Sequence, residues 1–119
     1  LFANEAEAKA LYETDRFDEA FQALRDWGRA AAITRSAQGS VVVEDGRVHI
    51  LDAVPVARVE DTTGAGDLYA AGFLFGYARE ATLEVCGRLG SMAAAEVISH
   101  IGPRPNASLK SLAAQAGLI

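Results

Sequence analysis

At 119 residues, half of them hydrophobic, the chain carries apolar material for the core of one domain at most. Its net charge of -5 argues against non-specific nucleic-acid binding, which needs a basic surface, yet leaves room for a local anion site. No apolar run reaches membrane-spanning length, the start Leu1-Phe2-Ala3-Asn4-Glu5 lacks the basic and apolar regions of a signal peptide, and the single Cys86 permits no internal disulfide. The expectation is therefore a cytoplasmic protein with neither a nucleic-acid nor a membrane partner.

In chain order, residues 4–12 read as a short helix capped by Asn4. Phe17, Ala20, Phe21, Leu24 and Trp27 recur at helical spacing and are expected to face a core, with Gly28 as the stop. A strand is expected over 31–34, then a polar turn over 35–39. Ser40–Glu44 and Arg47–Leu51 read as strands joined by Asp45-Gly46, a favoured hairpin pair. Residues 55–59 read as extended. A helix of small and aromatic residues is expected over 68–79, with Phe73, Phe75 and Tyr77 in the core. Thr82 caps another helix that runs to Ser99, where Ala93-Ala94-Ala95 allows close packing and Cys86 is a small buried hydrophobe. Gly102-Pro103-Arg104-Pro105 breaks that helix, and Ser108 starts a last one to Ala116. The order of elements suggests α/β layering.

The run Asp61-Thr62-Thr63-Gly64-Ala65-Gly66-Asp67 carries the most chemistry. The first N–H groups of a helix lack intrahelical partners, and the macrodipole adds partial positive charge there, so a helix start is a ready anion site. Gly64 and Gly66 lack Cβ and let a phosphate approach the chain closely. Asp67, in the first turn, suits the dipole as a carboxylate and can accept a proton from a substrate hydroxyl. Phosphoryl transfer needs mainly positioning and charge stabilisation, and a carboxylate that orients the hydroxyl is a usual part. The same residue types also suit a plain capped helix start, although capping does not need two acids flanking T-T-G-A-G. A Walker A loop is excluded because no Lys follows Gly66, and a Rossmann fingerprint because Tyr69 fills the place of its third, small residue.

D-T-T-G-A-G-D followed by a small and aromatic helix closely resembles the C-terminal signature of the ribokinase-like (PfkB) family of sugar and nucleoside kinases. The resemblance implies a three-layer α/β/α ribokinase-like fold, here an incomplete C-terminal part carrying nucleotide-binding and catalytic residues. It implies Asp67 as catalytic base and the amides of Gly64, Ala65 and Gly66 as the anion hole for the transferring phosphoryl group. It also implies Asp61 and Thr63 at a monovalent cation, K+. The activity implied is transfer of a phosphoryl group from ATP to a hydroxymethyl group of a small-molecule sugar or nucleoside. The segment 96–102 is most similar to adenosine kinase-like members.

Two further segments fit the family. Asn4-Glu5-Ala6-Glu7 matches N-x-x-E, which implies Asn4 near the phosphates and Glu7 organising Mg2+ through water; a cap plus first-turn acid is the alternative, and both roles can coexist. Thr34-Arg35-Ser36-Ala37-Gln38-Gly39 is similar to T-x-G-x-x-G beside the nucleotide phosphates. Thr34 and Gly39 match, Ser36 replaces the first glycine, and an ordinary polar turn is the alternative. In the family a larger N-terminal part bears more strands, the sugar-binding residues and a lid. The chain accordingly reads as a fragment whose sheet has an exposed edge, an association hazard that allows a homo-oligomer. A non-catalytic nucleotide-binding or assembly module is the competing reading.

Overall fold

Alternation of small and β-branched residues between positions 31 and 51 builds a hairpin-linked sheet in the computed structural model, which describes residues 1–54, 64–99 and 108–119. The chain divides into two units, Leu1–Asp52 and Ala53–Ile119. The first contains β1 (Phe2–Asn4), α1 (Glu5–Leu11), α2 (Phe17–Trp27), β2 (Ala31–Thr34), β3 (Ser40–Glu44) and β4 (Arg47–Leu51). Strand order is β1-β2-β3-β4, with β1 parallel to β2 and the remaining pairs antiparallel. Asp45 and Gly46 both take positive φ, 51° and 76°, as the expected two-residue hairpin turn requires.

Period-two alternation puts Ala31 and Ile33 of β2 on the same face as Val41 and Val43 of β3, where Ala8 of α1 and Ala20 and Leu24 of α2 cover them. Leu24 and Ile33 are fully buried, and each such side chain contributes about 1.5–3 kcal/mol. Trp27 departs from expectation and is 46% exposed. It lies at the margin of the apolar stripe, on the last residue before Gly28 reverses the chain with φ 79°, and the Arg29 guanidinium lies 5.6 Å from its ring centre. β1 is also unexpected. Three residues display too little alternation to be recognised as a strand, and it is the parallel pairing with β2 that defines them.

The second unit contains α3 (Ala65–Ala78), α4 (Leu83–Ile98) and α5 (Leu109–Gln115). The expected caps are present: Thr82 accepts from the Val85 N–H and Ser108 from the Ser111 N–H, both at 3.2 Å. Glycines bring α3 close against α4, and of the alanine run Ala93 and Ala95 are buried. A methyl on Gly72 would fall 2.6 Å from the Leu89 carbonyl oxygen, and one on Gly90 would fall 2.8 Å from that of Tyr69. Cys86 is fully buried, as expected. Tyr69 and Phe73 are buried and stack at i, i+4 spacing, with centroids 6.4 Å apart. Phe75 and Tyr77, expected in the core, are instead 42% and 47% exposed. On a helix that is apolar nearly all round, composition cannot say which side is covered.

Helix α3 begins at Ala65, three residues before the expected start. The expected extended segment 55–59 and the break at Gly102–Pro105 lie outside the described residues. Among the described residues, no helix is long and apolar enough to cross a membrane.

Candidate functional site

Parallel pairing of β1 with β2 sets Asn4 opposite Thr34, so the carboxyl ends of both strands fall on one sheet edge. In α/β sheets this is where ligands bind. From Asn4 the chain enters α1, and from Thr34 it enters a short 3-10 turn, Ser36–Gln38, closed by the Gly39 N–H donating to the Ser36 carbonyl at 3.0 Å. Four candidate residues separated by 35 positions at most in sequence, Asn4, Glu7, Thr34 and Gly39, thus come from two adjoining segments of one edge. Ser36, at φ 52°, belongs to the same turn.

Asn4 and Glu7 form a reciprocal capping box. The Asn4 Oδ1 accepts from the Glu7 N–H at 2.7 Å, and the Glu7 Oε1 accepts from the Asn4 N–H at 2.9 Å. The capping alternative is therefore realised. Glu7 is exposed, and its other oxygen has no partner among the described residues.

Sequence reasoning missed Arg35 and Glu5. Nε and Nη2 of Arg35 donate to the two carboxylate oxygens of Glu5, each at 3.4 Å, and the guanidinium lies 3.9 Å from the Phe17 ring centre. The hydrogen bond from Arg35 holds the Glu5 carboxyl below its ordinary value, with burial opposing and the charges of Arg35 and Lys9 assisting. The only signal in the sequence was an arginine just after a strand, and nothing there indicated an acid 30 positions upstream.

In the other unit, α3 opens at Gly64, which takes the left-handed φ of 80° that glycine tolerates best. Its carbonyl accepts from the Leu68 N–H at 2.9 Å. Ala65, Gly66 and Asp67 follow as the first three helical residues, whose N–H groups have no acceptor within the helix. Gly64 has no side chain with which to cap them. Gly66 is regular helix, so its conformational freedom is not used; what its missing Cβ leaves is space, since a methyl there would meet nothing within 4 Å among the described residues. Asp67 is exposed, and its carboxylate has no hydrogen-bond or ion-pair partner among the described residues. This stretch can present amide donors and a carboxylate at one helix mouth. Asp61 and Thr63 lie outside the described residues.

A family model described as pfkB family carbohydrate kinase matches residues 1–110. The chain belongs to this family. It is 40% identical over 105 residues to a cytidine kinase of Thermococcus kodakarensis, covering 86% of this chain and 37% of that kinase. The solved structure of adenosine kinase from Sinorhizobium meliloti matches with a TM-score of 0.92 and 53% identity, over 97% of this chain and 35% of that one. That of Arabidopsis thaliana ribokinase, complexed with ribose and ATP, matches with a TM-score of 0.82 and 26% identity, over 99% of this chain and 39% of that one. The fold is thus a partial, mixed α/β ribokinase-like fold, and the chain spans between a third and two fifths of the length of these pfkB kinases.

The backbone accounts for the glycine that the pattern T-x-G-x-x-G carries where this chain has Ser36. Its φ of 52° lies in the left-handed region, where glycine is free and a side chain costs about 1–2 kcal/mol. Gly39, at φ 91° and ψ -141°, adopts a conformation close to one open essentially to glycine. Among the described residues no group of three or more His, Cys, Asp or Glu could hold a metal. A hard ion that keeps several waters and bridges to phosphate needs only a carboxylate oxygen, and that of Glu7 fits.

Proposed function

We propose that this chain is the C-terminal, nucleotide-binding and catalytic portion of a pfkB kinase that transfers the γ-phosphoryl group of ATP to a hydroxymethyl group of a nucleoside or sugar. The observation that carries the reading is Asp67: exposed, without a partner among the described residues, in the first turn of a helix whose cap residue has no side chain. Family membership supports the reaction class. Similarity to a cytidine kinase and an adenosine kinase favours a nucleoside acceptor.

In this mechanism the Asp67 carboxylate takes the proton of the acceptor hydroxyl as its oxygen bonds to the γ-phosphorus. The bond from that phosphorus to the bridging oxygen breaks, and ADP leaves. The amides of Gly64, Ala65 and Gly66 stabilise charge on the moving group. Asn4, Thr34, Ser36 and Gly39 contact the nucleotide. Mg2+, when bound, neutralises phosphate charge, and Glu7 would hold it through water. Asp61 and Thr63 would serve a K+ ion.

The test is an ATP-turnover assay on the intact polypeptide carrying this segment, with Mg2+ and with adenosine, cytidine and ribose as acceptors. ADP release dependent on a nucleoside is the expected result. Absence of turnover with all three, together with no calorimetric binding of Mg-ATP, overturns the reading. Nucleotide binding without turnover favours the non-catalytic module.

A further inference from the structure

Backbone pairing between β1 and β2 ends at Asn4 and Thr34. Beyond those residues one chain turns into α1 and the other into the Ser36–Gln38 turn, and no ladder hydrogen bond continues between them. The Arg35–Glu5 contact spans this point. Glu5 is the first residue of α1, directly after Asn4, and Arg35 directly precedes Ser36. The ion pairs Arg16–Asp18, Arg16–Glu19 and Lys9–Glu5 each link residues at most four apart, whereas Arg35–Glu5 links residues 30 apart. Both side chains are about three-quarters buried, at 26% and 28% exposure, so water screens the pair less than it would a surface bridge. Phe17 supports the guanidinium plane from below. The Nε–Nη2 edge is committed to Glu5, which makes Arg35 a brace rather than a ligand.

We propose that Arg35 and Glu5 are a positioning pair that holds the Asn4–Glu7 turn and the Ser36–Gly39 turn together as one nucleotide-facing edge. The inference rests on the reading of that edge as a nucleotide site. It predicts an effect confined to the nucleotide, because neither residue is placed against the acceptor or the reacting atoms. Lys at position 35 restores a charge but neither the fork nor the flat surface over Phe17, so it recovers part of the function.

The experiment is a double-mutant cycle on the intact polypeptide with Arg35→Ala, Glu5→Ala, the double variant and Arg35→Lys. It reads KM for Mg-ATP, KM for the acceptor, kcat and the melting temperature. Each single alanine variant is expected to raise KM for Mg-ATP about tenfold, less than the roughly hundredfold that misplacing a reacting group can cost. KM for the acceptor and kcat should stay within about twofold, and the double variant should be no worse than the worse single one, because both remove one interaction. Arg35→Lys should lie between wild type and Arg35→Ala. Should an alanine variant fail to fold, Glu5→Gln and Arg35→Lys complete the cycle. Unchanged KM for Mg-ATP, or losses that multiply in the double variant, overturn the pair. So does a parallel rise in both KM values that tracks melting temperature. A wild type that neither binds nor turns over Mg-ATP overturns the functional reading and this inference together, whereas an active wild type with indifferent variants removes only the positioning role.

Discussion

The edge formed by β1 and β2 and the mouth of α3 handle their polar groups in opposite ways. At the edge, Asn4, Glu5, Glu7 and Arg35 engage one another through a capping box and a braced ion pair. At the mouth of α3, Gly64 has no capping side chain, and Asp67 has no side-chain partner among the described residues. Polar groups that satisfy one another build a rigid support, and a carboxylate left without a partner is available to an incoming hydroxyl. Under the proposed mechanism, the difference separates residues that hold from the residue that reacts. It also predicts that stability and activity respond to different substitutions in the two regions.

The largest expected effect is on Asp67. Asp67→Ala should lower kcat by roughly 10²–10⁴, the range of general acid–base contributions. It should leave stability within about 0.5 kcal/mol, as for an exposed side chain without a partner among the described residues. Turnover assays, calorimetry with Mg-ATP and thermal melts check all three outcomes, and near-normal turnover would erase the contrast. Next comes the packing behind that helix. Gly72→Ala places a methyl against the Leu89 carbonyl, where rotating a side chain gives no relief, and should cost about 1–3 kcal/mol in denaturant unfolding. A neutral result would mean that α3 and α4 separate readily and that the mouth of α3 is not rigidly backed.

Smaller effects belong to the edge. Asn4→Ala removes half of the capping box and should cost about 1 kcal/mol of stability, the typical value for a lost cap. A loss of activity far beyond that loss of stability is the expected signature of the nucleotide contact proposed for Asn4, and a loss no larger than the cap explains would leave Asn4 as support alone. The smallest effect depends on pH. Arg35 lowers the folded-state value of Glu5 below its ordinary 4.5, so the carboxylate contributes stability above that value and loses it as pH falls through the lowered one. Wild type should therefore exceed Glu5→Gln in melting temperature near neutral pH, with the gap closing as pH falls below the ordinary 4.5 and through the lowered value. A gap independent of pH would show that the brace acts through packing on Phe17 alone.

Much of the fold was legible because its signals are local. Asp45-Gly46 set the hairpin, Thr82 and Ser108 marked helix starts, and the spacing of Phe17, Ala20, Phe21 and Leu24 marked the buried face of α2. Asp67 was readable as a first-turn acid for the same reason, since the chemistry of a helix start is written in adjacent residues. The start of α3 was misplaced because glycines suggest a loop, although Gly66 sits in regular helix. Phe75 and Tyr77 were misassigned because a helix apolar on nearly all sides carries no directional pattern.

Sequence alone therefore determined the identity of most elements and the place of Asp67 in the first turn of a helix, because each follows from backbone sterics and neighbours within a few residues. Tertiary structure decided that Asn4 lies opposite Thr34, that Glu5 meets Arg35, and that glycines bring α3 against α4. Those outcomes join residues distant in the chain. Their energies come from strand register, charge pairing and steric fit between surfaces that exist only once the backbone has folded.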